Sequence, residues 1–172
     1  MASSIRATAS ASVACGVDEA FAYVSDVEAM AEWVDGVSNV QQVSGSDARA
    51  GTDVGDVYEY DYAYNGRTAP VRVEITACER PTRLAMRSLS GPFPFESEIR
   101  LAGDGRETRL THAVESGADG RFTAAAFTLF GPVLRRLAAR RLQRELADLT
   151  AILESRDADG ESPADPESAV SA

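Results

Sequence analysis

Among the residues with reactive or hydrogen-bonding groups are one histidine, His112, two cysteines, Cys15 and Cys78, and the run "VYEYDYAYNG", which sets Tyr58, Tyr60, Tyr62 and Tyr64 at alternate positions. A strand sends successive side chains to opposite faces, so the four phenols share one face while Glu59, Asp61 and Ala63 share the other. Such a face can wall a small-molecule site, with rings giving contact area and hydroxyls a few fixed hydrogen bonds. It can equally be a core or an edge-strand face with no ligand, because tyrosine is a good strand former. His112 alternates with Leu110 and Val114, and an imidazole on an apolar face is either a hydrogen-bonded core residue or a base for proton transfer. Without His, Cys, Asp or Glu companions it makes no metal site. Cys15 and Cys78 lack the spacing of a zinc site or a redox pair and are expected to be small buried hydrophobes. No nucleophile with its own base, no glycine-rich phosphate loop and no inward pair of carboxylates can be read, and no cofactor is expected.

The elements that must position these groups follow from periodicity. "SIRATASASVA" alternates Ile5, Ala7, Ala9, Ala11 and Val13 with polar residues, the pattern of a first strand. In "GVDEAFAYVSDVEAMAEWVDGV" the apolar spacing becomes three and four, which predicts helices near 18–25 and 27–34, with Asp18 and Glu19 in a first turn where the helix dipole favours acids. From Val37 to about Ser116 the period returns to two, broken by turn signals such as Asn65-Gly66, and six antiparallel strands are expected. One set of faces carries Val71, Val73, Ile75 and Ala77, then Leu84 and Met86, then Phe95, Ser97, Ile99 and Leu101, then Leu110, His112 and Val114. Arg72, Glu74, Arg87, Glu96, Glu98, Arg100, Thr111 and Glu115 hold the opposite faces. A sheet with one dry face needs a cover.

Residues 121–154 supply it. Leu134, Ala138, Leu142, Leu146, Leu149 and Leu153 form a stripe at helical spacing, and Arg136, Arg140 and Arg144 form a second one that reads as a solvated face paired with Glu145 and Asp148, or as a contact for an anionic partner. Pro132 is expected to bend or interrupt this helix, and Phe122, Phe127, Leu129 and Phe130 ahead of it either are buried on several sides or line a space. Residues 1–155 read as one domain and 156–172 as a disordered acidic tail.

The chain has 17 arginines, no lysine and 27 acids, for a net charge of -10. That balance makes nucleic acid an unsuitable partner and fits a surface kept hydrated in concentrated salt, hence a halophilic cytoplasm, although a GC-rich genome also favours arginine over lysine. No signal-like apolar region opens the sequence and "FTAAAFTLFGPVL" is too short to span a bilayer, so a cytoplasmic location is expected.

The order of strand, helix pair, six-stranded meander and long closing helix is that of a helix-grip fold, of the α+β class. "VDEAFAYVSDVEAMAEWVDGVSNVQQV", with Trp33 ahead of the second strand, and "FGPVLRRLAARRLQRELADLTAILES" resemble the opening and the closing helix of the START-like (SRPBCC) superfamily, polyketide cyclase/dehydrase type. The resemblance covers roughly residues 3–154. It implies a curved sheet of about seven strands gripping the C-terminal helix around an apolar cavity. On the face assignment above, that cavity is expected to be lined by Tyr58, Tyr60, Tyr62, Tyr64, Val73, Ile75, Met86, Phe95, Ile99, His112, Phe127, Phe130 and Leu134, with Ser88 and Ser97 as further inward polar groups. Trp33 reads as a plug between helix and sheet or as a residue of the cavity mouth. The expected function is binding or carriage of an apolar small molecule such as a lipid, isoprenoid, quinone or aromatic polyketide. A cyclase-like enzyme moving a proton through His112 and a tyrosine is the alternative, and an interaction protein whose arginine stripe or apolar 122–130 segment contacts another subunit is a third.

Overall fold

The computed structural model describes residues 4–47, 51–117 and 121–160, with side chains in the last segment described over 132–159. Strand β1 (Ser4–Val13) leads to helix α1 (Val17–Val24), and a 3-10 turn (Val27–Ala29) runs into the short helix α2 (Met30–Trp33). Six strands follow: β2 (Val37–Ser44), β3 (Val57–Tyr64), β4 (Arg67–Glu79), β5 (Arg83–Ser90), β6 (Phe95–Gly103) and β7 (Thr108–Gly117). Helix α3 (Arg121–Gly160) closes the described chain. All neighbouring strands pair antiparallel in the order β1-β7-β6-β5-β4-β3-β2, so β1 and β2 form the two edges.

The turn chemistry sets the register that decides which side chains face inward. Asn65 and Gly66 both have positive φ, 47° and 73°, and Tyr64 pairs with Arg67, which makes the two-residue hairpin loop expected of Asn-Gly. That register places Tyr58 opposite Val73 and Tyr60 opposite Val71, both on the buried face. On the wet face opposite charges meet across strands, Arg72 with Glu59 at 2.6 Å and Arg87 with Glu74 at 2.7 Å directly opposite, and Arg83 with Glu98 at 2.7 Å on the diagonal. Exposed pairs of this kind contribute only a few tenths of a kcal/mol each, roughly 0.2–1.

Leu142, Leu146, Leu149 and Leu153 of α3 are buried, and the helix packs chiefly along edge strand β1. Two sequence expectations about α3 need correction. Pro132 lies inside a continuous helix and does not interrupt it; its missing N–H costs one helical bond in a stretch where residues 132–137 are exposed and water can reach the backbone. The helix also passes Arg156 and runs to Gly160, the last described residue; the Arg156 guanidinium lies 4.6 Å from the centre of the Tyr23 ring and ties these turns to α1. The remainder of the expected tail, 161–172, lies outside the described residues.

Candidate functional site

The concave face of the sheet, α1, α2 and α3 enclose a cavity of about 280 Å³. Its buried end is built from Val24, Val27, Met30, Leu84, Met86 and Ile99. Toward its open end the lining is half-buried or exposed, with Ile5, Tyr62, Pro92, Phe93, Phe95 and Ala138. Alternation explains the sheet side: each strand gives every second residue, so apolar positions two apart reach the same space. Besides the Tyr60, Tyr62 and Ser116 hydroxyls, two polar clusters interrupt this wall, and they differ in kind.

The first is on the sheet. His112 sits on β7 opposite Ile99 of β6, and its diagonal neighbour Ser97 places Oγ 2.9 Å from His112 Nε2. The ring of Trp33 approaches that of His112 edge-on, with centroids 6.0 Å apart. His112 is 4% exposed, and among the described residues its Nδ1 is the buried side-chain polar atom without a hydrogen-bond partner. Burial pulls the imidazole pKa down to about 4, so the ring is neutral at neutral pH. A neutral imidazole has one N–H and one lone pair, so with Ser97 engaging Nε2, Nδ1 is left as a spare donor or a spare acceptor.

The second is on α3. Arg141 and Glu145 stand one turn apart, with Arg141 Nε 3.0 Å from Glu145 Oε1, and both line the cavity. Glu145 is 4% exposed, yet it is engaged. Arg141 Nη2 donates to the carbonyl of Asp35, while the Asp35 N–H donates to Glu145, so the pair holds the Asp35 backbone through two adjacent peptide units. The guanidinium also lies 5.4 Å from the centre of the Tyr62 ring. Burial pushes the Glu145 carboxyl above the usual carboxylate range and Arg141 pulls it partly back. The gripped turn is tight: Gly36 has φ +80° and a Cβ there would meet the Ala63 carbonyl at 2.6 Å, while the Ala63 N–H donates to the Gly36 carbonyl at 2.8 Å.

Six of the residues expected from sequence do line this space: Tyr60, Tyr62, Met86, Phe95, Ile99 and His112. Ser97 lines it as well, and so does Trp33, which serves as cavity wall beside His112. Others fall elsewhere. Tyr58 is buried on the same strand face but lies beyond the cavity, its hydroxyl 2.9 Å from Thr52 Oγ1, which in turn donates to the Ser25 carbonyl. Tyr64 stacks on Tyr62 at 5.9 Å and meets Phe93 edge-on outside the lining. Val73 and Ile75 are fully buried core, and the Ser88 hydroxyl is spent on the Phe95 N–H at 2.9 Å. Leu134 is 38% exposed, one turn beyond the last cavity residue of α3, Ala138. The side chains of Phe127 and Phe130 lie outside the described residues. Glu145 pairs with Arg141 and not with the stripe of Arg136, Arg140 and Arg144, which is exposed.

Sequence reasoning missed Arg141, Glu145, Val34, Val37, Phe93 and Val114 as lining residues. For Arg141 and Glu145 a signal existed: with Ala138 and Leu142 they form an i, i+3, i+4, i+7 set, the spacing of one helix face. Phe93, in the Gly91–Pro94 turn, had no period to reveal it. Among the described residues no group of His, Cys, Asp and Glu could hold a metal ion, and no helix is long and apolar enough to cross a membrane.

A seven-stranded antiparallel sheet curved around a long C-terminal helix, with short helices after the first strand, is the helix-grip fold of START-like proteins. The chain belongs to the polyketide cyclase/dehydrase and lipid transport family, whose model matches residues 4–154. Among solved structures it is similar to the Zhui aromatase/cyclase from Streptomyces sp. R1128, at TM-score 0.73 and 15% identity over 94% of this chain and 100% of that one. It is also similar to a START superfamily protein from Mycobacterium smegmatis, at TM-score 0.70 and 14% identity over 88% and 98% of the two chains. A third is a protein from Thermus thermophilus, TTHA0849, at TM-score 0.64 and 17% identity over 91% and 99%. No curated protein matches the sequence.

Proposed function

We propose that the protein binds, as a carrier or binding protein, an apolar small molecule bearing a carbonyl or hydroxyl oxygen. A quinone, an isoprenoid alcohol or an aromatic polyketide has that chemistry. The observation that carries this reading is the unpartnered Nδ1 of His112 in a mostly apolar wall. A buried polar atom without a partner costs about 1–3 kcal/mol, and a ligand oxygen would relieve that cost. Tyr60 and Tyr62 flank the space with ring surface. Native mass spectrometry of the purified chain, with solvent extraction of anything released, tests it. A stoichiometric apolar adduct carrying an oxygen function supports the reading, and a His112→Leu chain that keeps the same adduct at the same occupancy refutes the role given to His112.

A second reading is a cyclase-like enzyme that moves a proton within the cavity. His112, with its pKa near 4, is a weak base at neutral pH, so the group that favours this reading is Glu145, a cavity carboxyl held above its usual range by burial. Turnover of a poly-β-ketone substrate that disappears in Glu145→Gln, with ligand affinity kept, would establish it.

A further inference from the structure

We propose that the open end of the cavity docks on an anionic lipid surface, which rests on the reading that the cavity takes an apolar cargo. The argument starts with exposure. Residues 132–137 are exposed along a whole turn and a half of α3, and they include Val133 at 58%, Leu134 at 38% and Leu137 at 56%. On the other side of the opening, in the β5–β6 turn, Phe93 is 38% exposed. Among the described residues, four of the seven exposed large hydrophobics, Phe93, Val133, Leu134 and Leu137, thus flank the cavity lining at Phe93 and Ala138. Phe93 belongs to the cavity lining, and Leu134 sits one turn above Ala138 on the same line of the helix, so the exposed apolar rim is continuous with the apolar interior. A cargo leaving this cavity need not cross water if the rim is already seated in a membrane.

Charge selects the surface. The chain carries a net -10, but residues 132–144 hold five arginines, Arg135, Arg136, Arg140, Arg141 and Arg144, and no acid. Arg135, Arg136 and Arg140 are exposed beside Val133 and Leu137. A second copy would bring its own arginines against them, whereas anionic headgroups take the guanidinium groups as the apolar residues enter the acyl boundary. Long-range repulsion from the acidic body is weak at physiological salt, where the screening length is about 8 Å, so the local patch decides.

Two readouts on the full-length chain separate the failure of this proposal from the failure of the function it rests on. The first is cosedimentation with sucrose-loaded vesicles, phosphatidylcholine alone or with about a third phosphatidylglycerol. The second is quenching of Trp33, the single tryptophan and a cavity residue, by an apolar quinone in solution. Binding is expected to the anionic vesicles, at least tenfold weaker to the neutral ones, and weakened by salt. Arg135→Gln with Arg136→Gln should lower the partition about 25-fold, at about fivefold per charge. Val133→Ser with Leu137→Ser should lower it while leaving Trp33 quenching unchanged. Absence of vesicle binding, or binding indifferent to these substitutions, overturns the proposal. So does a micromolar dimer in sedimentation equilibrium that the Val133→Ser and Leu137→Ser substitutions dissolve, which would give the rim to a second copy. Vesicle binding without any quenching would instead remove the cargo reading.

Discussion

Two polar clusters of the cavity wall, one on the sheet and one on α3, are built on opposite principles. His112, on the sheet, is neutral, tied by one hydrogen bond to Ser97 and left with an unpartnered nitrogen. Arg141 and Glu145, on the helix, are charged, bound to each other and spent on the Asp35 backbone. Spare hydrogen-bonding capacity in a dry wall is a recognition feature, whereas an ion pair that anchors a turn is architecture. The contrast teaches that the more polar of two cavity groups need not be the one that meets the ligand.

The largest test of this comparison is pH. The unfolded imidazole titrates near 6.5 and the folded one near 4, so between these values only the unfolded chain holds the extra proton. Stability supplied by His112 is therefore complete above pH 6.5 and lost as pH falls toward 4, by about 3 kcal/mol. Urea unfolding of wild type and His112→Gln across that window checks it, and parallel curves would show that the imidazole is not buried neutral. Next comes the clasp. Arg141→Met leaves Glu145 buried without its partner and should cost about 2–3 kcal/mol, less than a fully buried pair because Arg141 keeps a third of its side chain in water. Adding Glu145→Leu should restore most of that loss. A Glu145→Gln chain of unchanged stability but abolished turnover would break the comparison by moving the helix pair into the chemistry.

Smaller effects come from the tyrosine row, where four residues that look alike in sequence diverge in space. Tyr60→Ala should weaken binding of an apolar ligand about tenfold, since the ring is cavity wall, and Tyr64→Ala should change it less than about twofold. Tyr58→Phe should leave binding alone and cost about 1 kcal/mol of stability, the worth of the lost bond to Thr52. Calorimetric titration and urea midpoints distinguish the three.

Period-two alternation is enough to assign the inward faces of β3 to β7, and the Asn65-Gly66 turn sets the register that makes Tyr60 a wall residue. Alternation says which face a residue occupies but not how far along the strand the hollow extends, which is why Tyr58, Val73 and Ile75 share the inward face and still sit beyond the cavity. The helix is harder to read. A leucine stripe marks the buried face of α3, but the i, i+4 row of Arg136, Arg140 and Arg144 draws attention away from the arginine that matters. Arg141 belongs to a different line, and its inward role depends on a turn at Asp35 more than a hundred residues away. The local rule for proline predicts a break at Pro132, and an exposed helical stretch tolerates it.

Helix α3 also bears on one edge of the sheet. Strand β1 is a sheet edge, and unpaired edges template association with other chains. α3 lies along that strand, and the Gln143 amide donates to the Ser10 carbonyl at 3.2 Å. The helix that completes the cavity is thereby also the guard of an edge, so a chain cut short before α3 would expose that edge along with its pocket.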